Sequence, residues 1–241
     1  MSAPRTVQEN DLKSPHKKFP NVATTAVFVV SRKPPSHCYK SIVTTEIGVA
    51  KMAFMIHKDL LVYYSNYFRG AFSGSFKEAT EGRLALPEGK VDVFKVFNNF
   101  IYTHQLCDGD GADLSCSVLI RFWLFGDRHI IPALQNEAMD SFLAKNVKEK
   151  SIPSFSLKYI YRNTLDGSPL RKVMIDLVTH KGHLPTMMVS EKATLDWPHE
   201  ALVDLTVALG AKKPENIGTF TMPADKKAKC YYHVHNEEDQ C

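Results

Sequence analysis

The chain has 241 residues, 44% of them hydrophobic and 23% charged, enough for one large domain or one ordinary domain with appendages. A formal charge of +4, spread along the chain, excludes the concentrated basic face of a direct nucleic-acid binder. No apolar run is long enough for a membrane span, the N-terminus lacks a secretory signal, and five irregularly spaced cysteines argue against a disulfide framework and for the nucleus or cytoplasm.

Residues 1–25 are polar, carry Pro4, Pro15 and Pro20, and read as a mobile arm. Ala26 to Val30 is a short apolar run, either a strand or a docking segment, ended by Pro34-Pro35. Ile42 to Ile47 is rich in β-branched residues and predicts a strand. Gly48 supplies a turn, and Lys51 to Ile56 predicts a hairpin partner with Met52, Phe54 and Ile56 on one face. After His57 the period becomes helical: Leu60, Leu61 and Tyr64 fit one short helix, and Ser65 caps another through Tyr67, Phe68 and Phe72.

Leu84-Ala85-Leu86 predicts a short strand. Val93, Phe94, Phe97, Phe100 and Ile101 follow helical spacing behind Asp92, which stands where an N-cap is expected. A polar loop with Asp108, Asp110 and Asp113 lacks the later Glu of a calcium site. Two helices follow, one with Val118, Leu119, Phe122 and Trp123, the other starting at Pro132 with Leu134, Ala138, Met139 and Phe142. Beyond Lys150, Leu170, Val173, Met174, Leu177 and Val178 form one apolar stripe, and Leu202, Leu205 and Leu209 another. His180 and His183 flank Lys181-Gly182, where glycine capping of a helix end is expected.

This order of elements resembles a BTB/POZ domain, and residues carry the match. Phe54-Met55-Ile56-His57-Lys58-Asp59-Leu60-Leu61 resembles the family's F-x-V-H-K-x-x-L, Ser65-Asn66-Tyr67-Phe68 its S-x-x-F, and Phe76-Lys77-Glu78 its F-x-E. Phe100-Ile101-Tyr102-Thr103 resembles its I/L-Y-T helix end, and Leu124 to Leu134 its L-A-D-x-Y-x-I-x-x-L. The layout of the whole chain is similar to the stand-alone BTB proteins of filamentous fungi. The resemblance implies an α/β fold, a small sheet flanked by helices. The implied division is an N-terminal arm at 1–40, a BTB/POZ domain at 41–148, a helical extension at 149–211 and a polar Cys/His tail at 212–241. Ile42 stands where many members carry an Asp that belongs to a charged pocket in dimers, which weighs against inferences relying on that carboxylate.

The resemblance implies a non-enzymatic protein–protein adaptor, either recruiting partners to a cullin-type ubiquitin ligase or serving as a homo- or hetero-oligomerisation scaffold. Candidate partner-binding residues are His57, Lys58, Tyr67, Phe76 and Glu78. His57 and Lys58 also have a structural reading, a hydrogen-bonded corner between strand and helix. Phe76 is an aromatic anchor beside a charge, or else a local packing residue. Cys230, His233, His235 and Cys241, spaced C-x2-H-x-H-x5-C, are a candidate zinc or redox site, with a plain tail as the alternative. No nucleophile elbow, phosphate loop or H-E-x-x-H motif is present, so no catalytic residue, small-molecule substrate or other cofactor is expected.

Overall fold

The computed structural model describes residues 34–107, 111–190, 197–211, 221–223 and 230–235. The polar arm, the Ala26 to Val30 run, Asp108, Asp110 and Cys241 lie outside the described residues.

A 3-10 turn (Ser36–Tyr39) leads into β1 (Ile42–Ile47) and β2 (Met52–His57), an antiparallel hairpin with Val43 opposite Ile56. Gly48, at φ +72°, makes the turn between them. Three short helices follow, α1 (Lys58–Tyr64), α2 (Asn66–Ala71) and α3 (Lys77–Glu81). The chain then returns as β3 (Arg83–Leu86), parallel to β1, for a sheet order β2-β1-β3. Alternation puts Val43, Thr45, Ile47, Ile56, Leu84 and Leu86 on the buried face, while Ile42 and Met55 point out. Ser65 caps α2 as expected, its Oγ accepting the Phe68 N–H at 3.1 Å.

Next come α4 (Val91–Thr103), whose Phe94 packs on Phe54 of β2, and α5 (Cys116–Arg128), which packs on α4 and more extensively on α6 (Pro132–Glu149). Gly126 permits the close α5–α6 approach: a Cβ there would meet Gln135 Cγ at 2.9 Å and Leu134 Cδ2 at 3.1 Å. The centre of the core is aromatic, with Phe94 and Phe97 at 5.4 Å between ring centres and Phe97 and Phe125 at 4.9 Å. A second 3-10 turn (Ser154–Ser156) opens the C-terminal helices α7 (Leu157–Asn163), α8 (Pro169–Lys181), α9 (Leu184–Ser190) and α10 (His199–Gly210).

Most of the expected core is buried, and the departures have local causes. Phe54 is half-buried, packed on Phe94 at 4.9 Å, and Met52 is exposed because it sits at the hairpin tip. Asp92 is not the N-cap: Lys90 holds that place without a side-chain bond, and Asp92 lies inside the first turn, paired with Arg121 at 2.9 Å. The stripe on α10 is rotated. Ala201 and Leu205 are buried while Leu202 and Leu209 stay exposed, because the small Ala201 lets the helix rest on α8. Gly182 does cap α8, but in extended backbone, with its N–H shared between the Leu177 and Val178 carbonyls.

Candidate protein-interaction surface

The five expected partner-binding residues fall into two groups. The first is the corner between β2 and α1. Lys58 opens α1, and His57 occupies the N-cap position without capping it. The Tyr102 hydroxyl accepts the His57 backbone N–H at 3.2 Å and lies 2.8 Å from His57 Nδ1, while Tyr39 meets the same ring edge-on. The imidazole is half-buried, so the corner is hydrogen-bonded and still reachable from solvent. Its partner Tyr102 comes from the end of α4, 45 residues away.

The second group is on α2 and α3. Phe76 is 62% exposed at the N-cap of α3, a helix with no buried residue. Glu78 is half-exposed in its first turn, close enough that its charge, after partial burial, helps raise the Tyr67 hydroxyl above the usual tyrosine range. Tyr67 also stands edge-on to His129, ring centres 5.0 Å apart.

Beside Tyr67 opens a cleft of about 470 Å³ lined by Pro87, Arg121, Arg128, His129 and Tyr159. His129 and Tyr159 had no signal in the sequence, because only the turn after α5 and the return of α7 bring them to one rim. His129 is 5% exposed, its Nδ1 is 2.8 Å from the Phe125 carbonyl, and its own carbonyl accepts the Ser65 hydroxyl at 2.6 Å.

At the tail, Cys230, His233 and His235 do come together, while Cys241 lies outside the described residues. Cys230 is disulfide-bonded, while Cys38, Cys107 and Cys116 are free. A plain tail is not what residues 230–235 form, for they dock on α6 and α8. The residues that receive them, Asn136, Asp140 and Asp176, lie 56 to 98 positions away, a separation no local pattern reveals. Of the expected acidic loop, Asp113 forms an ion pair with Lys148 at 2.7 Å that lowers its carboxyl pKa.

Among the described residues no helix is long and apolar enough to cross a membrane. A family model for the BTB/POZ domain matches residues 35–119, from the first 3-10 turn into α5. No curated protein matches the chain. BTB/POZ domains are generally non-enzymatic modules that mediate protein–protein interaction and dimerisation. Together with the three-stranded sheet and its surrounding helices, the match shows a BTB/POZ domain over residues 35–119.

Proposed function

We propose that this chain is a non-enzymatic adaptor that recruits a partner protein to a cullin-type ubiquitin ligase in the nucleus or cytoplasm. Phe76 carries the reading. An aromatic ring that packing does not bury, flanked by Glu78 and the partly exposed Tyr67, has the composition of an interface hot spot. The helices after α6 supply the second surface, with Phe155, Tyr159, Leu165 and Val207 exposed for a substrate. Any influence on nucleic acid acts through a partner.

Calorimetric titration of the full chain with a cullin N-terminal domain tests this. The expected result is micromolar or tighter binding, weakened at least about tenfold by Phe76→Ala and by Glu78→Lys, a loss of about 1.4 kcal/mol or more. Absence of binding at high concentration sinks the ligase reading.

The other reading is an oligomerisation scaffold. Exposed Ile42 and Met55 on the outer face of the sheet favour it, since an apolar patch there suits a second copy. Sedimentation velocity separates the two, a dimer without cullin affinity supporting the scaffold.

A further inference from the structure

Residues 230–235 are held more firmly than a polar chain end requires. The His233 N–H donates to the Cys230 carbonyl at 3.0 Å and closes a tight turn. Asn136 of α6 clamps the next residue, accepting the Val234 N–H at 2.7 Å and donating to the Val234 carbonyl at 3.0 Å. Tyr232 is 2% exposed and donates to Asp176 of α8 at 2.8 Å, and the Lys172 ammonium lies 3.7 Å from the Tyr231 ring centre.

What this backbone presents is a ligand set. Cys230, His233 and His235 each offer one donor atom, and the three atoms lie within 4.8 Å of one another. Two donors on one tetrahedral zinc ion stand roughly 3.3–3.7 Å apart, given bonds of about 2.0–2.3 Å, so closure by about 1 Å completes the geometry. Asp140 stands behind the set, its Oδ1 2.8 Å from His233 Nε2. A carboxylate on one imidazole nitrogen keeps a proton there and leaves the other nitrogen's lone pair for a metal, as in many zinc sites. One sulfur and two imidazoles are donors that suit Zn²⁺.

The Cys230 sulfur is in a disulfide here and offers no thiolate. We propose that Cys230, His233 and His235 form a zinc site that becomes available when this disulfide is reduced. A dithiol reductant delivers two electrons and two protons, the S–S bond breaks to two thiols, and the reductant leaves as its own disulfide. Zinc then displaces the Cys230 thiol proton to solvent and bonds the sulfur and one nitrogen each of His233 and His235. Water or one further donor fills the fourth position. Bound zinc pins the tail on α6 and α8. The inference stands apart from the adaptor reading, since none of these residues belongs to the surface around Phe76.

The test uses the full metal-free chain with zinc chloride as the probe, before and after reduction, by equilibrium dialysis and metal quantification. The reduced chain is expected to take up one zinc, and the oxidised chain to bind at least about 100-fold more weakly. Cobalt in place of zinc gives a sulfur-to-metal charge-transfer band that Cys230→Ser removes. His233→Ala abolishes uptake, and Asp140→Asn weakens it about 10–100-fold, with circular dichroism unchanged in each. The proposal is overturned if the reduced chain takes up no zinc, if uptake survives both Cys230→Ser and His233→Ala, or if the oxidised chain binds equally well. Undiminished affinity in Asp140→Asn overturns the positioning role of that carboxylate.

Discussion

The His129 imidazole lies face to face with Phe68, interplanar angle 13°, and 4.1 Å from the ring centre of Phe125. Burial is the main cause that drives its pKa down from 6.5 to about 4; the Phe125 carbonyl opposes the shift and the Arg128 charge adds to it. Above pH 6.5 both folded and unfolded chains are neutral at this residue and it contributes no pH dependence. Between 6.5 and about 4 only the unfolded chain takes up the proton, so stability falls as pH falls, and below about 4 the loss is complete at about 3 kcal/mol. Asp127, next to it, has the opposite sign: burial raises its carboxyl, so the folded chain binds that proton first at lower pH. Urea unfolding is expected to show a loss of about 2 kcal/mol between pH 7 and pH 5. His129→Gln should flatten that slope; parallel profiles for the two proteins would assign it to other groups. The sequence disclosed Phe97 and its neighbours through helical spacing, but not His129. It follows the polar-looking Gly126-Asp127-Arg128, and only the tight turn into α6, where Ile130 takes a positive φ of 53°, folds it inward.

At the scale of elements, the apolar stripe of α8 was legible and its buried charge was not. Arg171 is 9% exposed inside that stripe. Its Nε donates to Thr164 Oγ1 at 2.9 Å and its Nη2 to the Tyr161 carbonyl at 3.0 Å, with further bonds to the Thr164 carbonyl and to Asp166. The guanidinium also lies 4.4 Å from the Tyr161 ring centre, and the Tyr161 hydroxyl donates to Asp204 of α10 at 2.6 Å. The guanidinium thus ties α8 to the end of α7, and the Tyr161 hydroxyl extends that link to Asp204 of α10. Asp166 is 96% exposed on its side chain, so that pair adds little through its charge. Most of the effect belongs to the buried acceptors. Arg171→Met leaves the Tyr161 and Thr164 carbonyls short of donors and is expected to cost roughly 3–5 kcal/mol. Arg171→Lys should restore little, because an ammonium cannot reproduce the fork. Chemical denaturation checks both; a loss below about 1 kcal/mol in the Met variant would mean that α7, α8 and α10 are held by apolar packing alone.

Across the whole molecule, the boundary proposed near residue 148 meets a continuous core. Buried side chains run from Cys38 through α4, α5 and α6 into Leu170, Val173, Met174 and Leu177 of α8. The tail straddles the boundary, bonded to α6 through Asn136 and to α8 through Asp176. The chain's two tryptophans allow each side to be followed separately: Trp123 is buried in α5 at 2% exposure, and Trp197, just before α10, at 7%. Shared burial makes each half part of the other's core, so loss of one exposes apolar surface on the other and the two should melt together. In Trp197→Phe, fluorescence reports the BTB/POZ part; in Trp123→Phe, it reports the C-terminal helices. Urea midpoints from the two reporters are expected to coincide once each variant's own stability change is measured by circular dichroism. An earlier transition at Trp197 alone would make α7 to α10 a separate unit. A substrate surface there could then open or be exchanged without disturbing the face that carries Phe76.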